Sequence, residues 1–296
     1  MIDESLLDSW LLHLEAERKS PQTLKAYGDG VRRFLDWAAT TGVDPVLDKP
    51  TVEAFQRALL DAGQSPSTVV SRQLSLRRFS AWLVEEGEAP VDALIGMKRP
   101  KIDAPVVEPL TAAQVKALIA TCGGKDRGLA ERRDEAIIRL MAETGMRAAE
   151  VVGLTRSDID LKRRIAIVRR GKGGKGRVVP LSAPTATAID RYIRARKEHR
   201  LADTEALWLG ARGKTFTYDG LHATLAKRAQ AADITGMHPH RLRHTAAHHW
   251  LAKGGSEQGL MAVAGWTRPD MLMRYTQAQA SERAIAEAES IGLGDW

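Results

Sequence analysis

Apolar residues recur every three or four positions along most of this chain, a spacing that puts them on one face of an α-helix. In the first hundred residues two such stripes run through Leu6, Leu7, Trp10, Leu11, Leu14 and through Leu24, Tyr27, Val31, Phe34, Ala38. Helix starts are marked by Ser20-Pro21 and Ser65-Pro66, each an N-cap serine followed by proline at the first helical position. Thr51 is the expected cap of a helix between them, so residues 1–96 are predicted to form a small four-helix bundle.

A linker is predicted over residues 97–110. Pro100 and Pro105 stand there among charged residues and disfavour any regular element. Helix restarts after the linker, where Thr111 and Gln114 have the spacing of a capping box.

One small sheet interrupts the helical pattern of the second part, after a helix that ends near Gly145. Residues 164–168 and 177–181 are rich in β-branched side chains and flank the glycine-rich residues 171–176, an arrangement typical of a hairpin. The apolar residues 207–209 are a candidate third strand. The expected fold class is mainly α with a small antiparallel sheet.

Several protein classes are excluded by composition. The one cysteine, Cys122, excludes an internal disulfide and a zinc site built from cysteines. No apolar run reaches the ~18–20 residues that span a bilayer. The acidic start, Met1-Ile2-Asp3-Glu4, lacks the basic region of a signal peptide. We therefore expect a cytoplasmic protein without a membrane partner.

Charge is divided unevenly along the chain, whose net charge is +7. Residues 1–100 carry 12 Lys and Arg against 15 Asp and Glu, whereas the remainder carries 32 against 22. A basic half favours a polyanionic partner, and nucleic acid before a membrane surface, because no basic amphipathic helix stands out. A merely solvated surface is the alternative.

The predicted hairpin is strongly basic. Residues 162–177 contain no acid and hold Lys162, Arg163, Arg164, Arg169, Arg170, Lys172, Lys175 and Arg177. A phosphate-binding P-loop is excluded, because arginine follows Gly176 where that motif needs lysine. A basic tip of this kind suits the groove or backbone of DNA, and a solvated turn is the alternative.

Three histidines after Pro239 have the i, i+4, i+8 spacing of metal ligands on a helix: His240, His244 and His248. Residues 234–256 contain no Asp or Glu to complete such a site, and Arg241 and Arg243 would repel a dication. Histidine and arginine three positions apart at a helix start fit an anionic phosphate better.

Two further segments hold candidates. Arg147 follows Gly145 at a predicted helix start, where it can bind a phosphate or form an ordinary surface salt bridge. Thr267 and Pro269 predict a helix start that places Tyr275 about two turns into the helix. By itself that position is typical of a core residue.

Taken in order, these residues resemble the tyrosine recombinase (phage integrase) family, in its small two-domain form similar to Xer recombinases and to integrases that lack an arm-binding domain. The pattern comprises Arg147, Lys172 on the glycine hairpin, His240-x-x-Arg243, Trp266 and, nine residues later, Tyr275. The resemblance covers nearly the whole chain, including the Ser-Pro-x-Thr helix starts. Trp266, Met146 and Ala149 depart from the commoner histidine, leucine and serine, but none of them removes a catalytic group.

The resemblance implies a fold and an assembly. Residues 1–96 would form a SAM-like core-binding domain, 97–110 the linker and 111–296 a mixed α+β catalytic domain, closing as a C-shaped clamp on duplex DNA. No arm-site domain is expected before them. A homo-tetramer on two paired core sites would exchange strands through a Holliday junction. Residues 280–290 would form a terminal helix that docks on a neighbouring protomer or packs on its own subunit.

The resemblance also implies the chemistry. Tyr275 would attack the scissile phosphate, leaving a 3′-phosphotyrosyl link and a free 5′-hydroxyl. Arg147 and Arg243 would hold the non-bridging oxygens. Lys172, or its rival Lys175, would protonate the departing oxygen.

Three more residues would support this reaction. His240 would accept the tyrosine proton or hold the phosphate, Trp266 would donate its indole N–H to a phosphate oxygen, and Glu150 would orient basic groups. DNA contacts are expected from Lys98, Arg99, Lys101, Arg169, Arg170, Lys175, Arg177 and Arg241. No metal or other cofactor is implied, because the phosphotyrosyl bond conserves the bond energy until another strand attacks it.

The resulting hypothesis is a site-specific DNA recombinase that integrates and excises a phage or mobile element, with accessory proteins left open. The alternatives are Xer-like resolution of chromosome or plasmid dimers, a non-catalytic DNA-binding protein on the same fold, and a type IB topoisomerase-like enzyme that lets strands swivel. The complete set of catalytic residue types argues against the non-catalytic alternative.

Strand cleavage should be unaffected by EDTA and by the absence of ATP, because the sequence holds no nucleotide-triphosphate motif and no complete metal site. Covalent attachment of the chain to a labelled duplex, measured with and without chelator, checks this. Strong inhibition by EDTA would instead support a metal on the three histidines after Pro239.

Overall fold

The structure, a computed structural model, describes residues 2–100, 107–125, 127–169, 176–210 and 213–268, together with positions 272, 285, 288, 289 and 292. The chain divides into two compact units, Met1–Pro105 and Val106–Trp296. Each unit has a hydrophobic core of its own.

Four helices build the first unit: α1 Glu4–Ala16, α2 Pro21–Thr41, α3 Lys49–Asp61 and α4 Pro66–Glu85. The predicted bundle is confirmed, and Ser20 and Ser65 cap α2 and α4 as expected. Thr51 is not the cap of α3, and the prediction for it is wrong. The cap is Asp48, three residues earlier, which accepts a hydrogen bond from the Thr51 backbone N–H at 2.8 Å.

Aromatic rings fill the core of this bundle. Trp10 is buried, stacks on Tyr27 with 5.7 Å between ring centroids, and lies 5.1 Å from the Phe79 ring. Helices α2 and α4 approach closely, since a Cβ atom on Gly30 would lie only 2.3 Å from the Ser75 hydroxyl oxygen. Glycine at position 30 is therefore what permits this helix contact.

The second unit is mostly helical, with one small sheet. Its described helices are α5 Ala112–Ala120, α6 Leu129–Thr144, α7 Ala148–Val152, α8 Ala183–Arg196, α9 Tyr218–Gln230, α10 Pro239–Ala252 and α11 Glu257–Ala264. The strands β1 Ile159–Asp160, β2 Ile165–Val168 and β3 Arg177–Pro180 form an antiparallel sheet in the order β1-β2-β3. The predicted fold class, mainly α with a small antiparallel sheet, is confirmed.

The third strand of the sheet is not the predicted one. Residues 207–209 make only an isolated bridge, between Leu209 and Thr215, and β1 takes the edge of the sheet instead. All three side chains of this run are buried, and the Trp208 indole N–H donates to Val151 O at 2.8 Å. These three residues all pack in the core and lack the alternation of a half-buried strand. An apolar run of this kind therefore does not by itself indicate a strand.

Helix α6 lies at the centre of the second unit, with α8 and α10 packed against it. Its buried Asp134 accepts hydrogen bonds from the guanidinium groups of Arg133 and Arg228, at 2.7 Å each. This ion network ties α9 to α6, whose C-terminal end leads into Arg147. No helix within the described ranges is long and apolar enough to cross a lipid bilayer.

Phe79→Ala should lower the free energy of unfolding of the first unit by about 3–5 kcal/mol, because truncating a buried aromatic ring leaves a cavity. Calorimetry of the full chain measures this as a lower melting temperature. Leu12→Ala, at a side chain that is 69% exposed, is the control and should change stability by less than about 0.5 kcal/mol. Equal effects of the two substitutions would contradict the burial of Phe79.

Candidate active site

Gly145 ends α6 and directs the chain toward Arg147. Its φ of +62° is a left-handed conformation that glycine adopts without side-chain strain. Met146 follows in the core, and Arg147 becomes the N-cap residue of α7. The predicted helix end near Gly145 is confirmed, and it places the first candidate arginine at the start of a new helix.

Glu150 binds both the backbone and the side chain of Arg147. Its Oε2 accepts from the Arg147 backbone N–H at 2.9 Å, and its Oε1 accepts from Arg147 Nη1 at 3.0 Å. The other terminal nitrogen, Nη2, donates to Gly265 O at 3.2 Å. The guanidinium of Arg147 is therefore held between α7 and the C-terminal end of α11.

Arg177 reaches the same carboxylate from the first position of β3. Its Nη1 and Nη2 donate to Glu150 Oε1 and Oε2 at 3.0 and 2.6 Å, and its Nε donates to Val263 O at 2.8 Å. The side chain is only 10% exposed. The basic hairpin pattern predicts Arg177 as a DNA contact, whereas the structure pairs it with a buried carboxylate of the protein.

Glu150 is ionised in this arrangement. Burial alone would raise the pKa of its carboxyl group, but the hydrogen bonds and charges of Arg177 and Arg147 outweigh burial and hold that pKa below its usual 4.5. Each carboxylate oxygen accepts one bond from each arginine. We call Arg147, Glu150 and Arg177 the Glu150 cluster; its three charges leave a net charge of about +1.

Arg243 approaches Gly145 from α10. Its side chain is buried, and its Nη1 donates to Gly145 O at 2.6 Å. A Cβ atom on Gly145 would lie 3.3 Å from the Ala246 Cβ, so α10 packs closely against this turn. The two arginines that are predicted to hold one phosphate therefore belong to or contact one short turn, residues 145–147.

Trp266 stands beside the same turn, buried in a small apolar cluster of α10 and α11. The Arg243 Cζ lies 5.3 Å from its ring centroid, a cation–π contact. Gly265, with φ of +65°, ends α11 directly before it. The carbonyl groups that Arg147 and Arg177 bind thus lie one and three residues before Trp266.

The helix start predicted near His240 is confirmed, with His238 as the N-cap of α10. The His238 side chain accepts from the Arg241 backbone N–H at 3.2 Å. Burial and the nearby Arg241 charge lower the pKa of this imidazole. His240 lies two residues after the cap, is exposed, and has its ring centroid 5.6 Å from that of His244. His240 and the buried Arg243 thus stand one helical turn apart.

Two other predicted DNA contacts are engaged within the protein. Arg169 pairs with Asp158, and Arg241 donates to Glu108 O at 3.0 Å. Hydrogen bonds from Thr155 and Arg169 outweigh the effect of burial and lower the pKa of the Asp158 carboxyl group. Two further predicted contacts are exposed in the first unit: Lys98 and Arg99.

The rest of the predicted set lies outside the described residues: Lys101, Arg170, Lys172, Lys175, Pro269, Tyr275 and most of residues 280–290. Among the residues that the structure does describe, no group of three His, Cys, Asp or Glu side chains is arranged to hold a metal ion.

The pairing of Arg177 with Glu150 is not predicted from the sequence. The two residues are 27 positions apart, and Arg177 is one of eight basic residues in the segment 162–177. One feature of the sequence does indicate that Arg177 faces the interior. Strand alternation puts Arg177 on the same face as Val179, which is buried, and so turns it away from solvent.

Several known protein families and proteins are similar to this chain. The phage integrase family matches residues 108–282, and the phage integrase N-terminal SAM-like domain matches residues 7–87. Tyrosine recombinase XerD of Bifidobacterium longum is 31% identical over 284 residues, covering 92% of this chain and 92% of that protein. Tyrosine recombinase XerC of Methylobacterium sp. is also 31% identical over 284 residues, covering 92% and 88%.

Solved structures share the fold at lower identity. The Tn1549 transposon integrase in complex with transposon right end DNA gives a TM-score of 0.75 at 19% identity, covering 97% of this chain and 98% of that one. The XerH site-specific recombinase bound to palindromic difH substrate gives a TM-score of 0.74 at 16% identity, covering 97% of this chain and 85% of that one.

Glu150→Gln should lower the melting temperature at neutral pH and have a smaller effect in acid. Because the folded-state pKa of Glu150 is depressed, the stability that it contributes is complete above pH 4.5 and is lost as the pH falls through the lower folded value. Removing one partner of a buried ion pair costs about 3–5 kcal/mol where the pair is ionised. Thermal melts of both proteins between neutral pH and strong acid measure the difference.

Glu86→Gln, at the exposed residue that follows α4, is the matched control and should change the melting temperature at neutral pH far less than Glu150→Gln does. An effect of Glu150→Gln that stays equally large in strong acid would contradict an ionised Glu150 in the folded state.

Proposed function

Because this chain belongs to the phage integrase family of tyrosine recombinases, enzymes that break and rejoin DNA strands, we propose that it cuts a specific DNA site through a 3′-phosphotyrosyl intermediate. The observation that carries this proposal is that Arg147 and Arg243 meet at the turn 145–147, beside Trp266. Guanidinium groups bind two phosphate oxygens at once in a fixed geometry.

Arg147 and Arg243 stabilise negative charge on the non-bridging oxygens of the scissile phosphate. Each guanidinium already has one donor on a backbone carbonyl, Gly265 O or Gly145 O, so its orientation is set before DNA arrives. Such preorganisation avoids a reorganisation cost in the transition state, and losing one donor group of this kind lowers a rate by about 10²–10³-fold.

Tyr275 is the nucleophile and Lys172 the proton donor in this mechanism. The phenolic oxygen forms a bond to phosphorus while the bond from phosphorus to the 5′-oxygen breaks, and that oxygen takes a proton from Lys172. Lys175 is the rival donor. His240, exposed at the start of α10, accepts the phenolic proton or holds the phosphate. Trp266 donates its indole N–H to a phosphate oxygen.

The partner is double-stranded DNA with a core site, and the working assembly is a homo-tetramer on two paired sites. Lambda integrase was solved as a dimer bound to a core site, and the second half of this chain is basic, which supports a DNA partner. The reaction takes place where the DNA is, in the bacterial cytoplasm.

Of the two cellular roles, dimer resolution has the stronger support. Several relatives that match over about nine-tenths of their length are XerC and XerD recombinases. The expected integration of a mobile element rests on the family description and on a fold shared with transposon and phage integrases at 19% identity or less. We therefore infer Xer-like resolution of chromosome or plasmid dimers, with integration as the second candidate.

Tyr275→Phe should bind the DNA site as the wild type does but form no covalent complex, because the attacking oxygen is gone. The measurement is trapping on a nicked suicide duplex, followed by denaturing electrophoresis and mass spectrometry of the linked peptide. A covalent adduct in the Tyr275→Phe variant would show that another residue is the nucleophile.

Sequencing the DNA that is linked to the wild-type protein in cells separates the two roles. One chromosomal or plasmid site supports dimer resolution, whereas the ends of an inserted element support integration. A plasmid with two copies of the recovered site should yield recombinants; relaxation without recombinants would support a topoisomerase-like enzyme instead.

A further inference from the structure

We propose that Arg177 is a positioning residue for Arg147: by neutralising Glu150, it leaves the positive charge of Arg147 available to the scissile phosphate. The inference rests on the proposed function, since it assigns the electrostatic support of the same site. Arg177 then acts through its neighbours in the Glu150 cluster, without a DNA contact of its own.

All three nitrogen atoms of the Arg177 guanidinium donate to protein acceptors. Two of them bind the two oxygens of Glu150, at 3.0 and 2.6 Å, and Nε binds Val263 O at 2.8 Å. The side chain is 10% exposed and that of Glu150 is 5% exposed. Contact with a phosphate would require Arg177 to leave a buried bidentate pair, which is among the strongest hydrogen-bonded arrangements in proteins.

The backbone at Gly265 makes room for this guanidinium. A Cβ atom on Gly265 would lie 2.8 Å from Arg177 Nη1 and 2.9 Å from its Cζ, closer than real Cβ atoms approach. The same residue offers its carbonyl oxygen to Arg147 Nη2 at 3.2 Å. Arg177 and Arg147 thus both contact the backbone at the end of α11, and glycine at position 265 leaves the space that the Arg177 guanidinium occupies.

The charges of the cluster give Arg177 its function. With Arg177 in place, two guanidinium groups share the single negative charge of Glu150, and one positive charge is left in excess. Without Arg177, Glu150 and Arg147 would form a neutral ion pair, because charges at hydrogen-bond distance interact strongly when they are removed from water. A neutral pair would attract an anionic phosphate far less than the present cluster does.

Four proteins test this inference: the wild type, Arg177→Gln, Glu150→Gln and the double variant. The measurement is single-turnover cleavage of a nicked duplex that carries the site recovered from wild-type adducts, at saturating protein. Arg177→Gln should slow cleavage by about 10²-fold, the loss of a preorganised charge. The double variant should cleave about tenfold faster than Arg177→Gln, because removal of the carboxylate returns the excess positive charge. Such coupling is typical of residues in one network.

Arg194→Gln is the matched control, since this arginine of α8 has a 65% exposed side chain and lies outside the cluster. It should cleave at the wild-type rate. The DNA affinity of Arg177→Gln, measured at several salt concentrations, should keep the wild-type salt dependence, because no phosphate contact is lost. Melting temperatures of all five proteins show that each is folded under the assay conditions.

Three results would overturn the inference. A double variant as slow as Arg177→Gln would mean that Arg177 only stabilises the fold. A salt dependence reduced by about one phosphate contact, with normal cleavage at saturation, would make Arg177 a DNA contact. If Arg177→Gln has both the cleavage rate and the salt dependence of the wild type, Arg177 has no role in the reaction.

If Arg177→Gln does not fold, Arg177→Lys replaces it. Lysine keeps the charge but not the fork, so cleavage should stay within about tenfold of the wild type, and adding Glu150→Gln should bring no gain. A restoration by Glu150→Gln in this background would contradict the charge argument. A wild type that forms no adduct contradicts the proposed function itself, whereas unaffected Arg177 variants beside an active wild type contradict only this inference.

Discussion

One buried carboxylate holds the candidate active site together. Glu150 accepts hydrogen bonds from Arg147 and Arg177, and both arginines also bind carbonyl groups at the end of α11. Because breaking a buried ion pair is costly, the relative positions of α7, β3 and α11 depend on this residue. The Glu150 cluster thus has two guanidinium groups around one carboxylate, which leaves one positive charge in excess.

Two glycines orient the arginines of the site. Gly145 ends α6 and offers its carbonyl to Arg243, and Gly265 ends α11 and offers its carbonyl to Arg147. Carbonyl groups at a helix C-terminus carry the negative end of the helix dipole and attract guanidinium groups. Both glycines have positive φ, +62° and +65°. The same turns that end the two helices therefore also fix the orientation of the two guanidinium groups.

Local structure could be predicted from this sequence because its signals are local. The caps at Ser20 and Ser65 follow from side chains that reach backbone groups three residues away. Asp48 and Thr51 are both residue types that cap helices, and in the structure Asp48 is the N-cap of α3. The residues of the candidate site are predicted by their order along the chain and by a family resemblance, and no local signal predicts them. The partner of Arg177 could not be predicted, because it exists only after folding brings β3 to α7.

The most direct measurement is a crystal structure of the full chain bound to a duplex that carries its core site. We expect one phosphate to accept hydrogen bonds from both Arg147 and Arg243, at about 2.7–3.2 Å, with the ion pair of Glu150 and Arg177 intact. If the two arginines bind different phosphates, or none, the convergence at residues 145–147 does not form the catalytic centre.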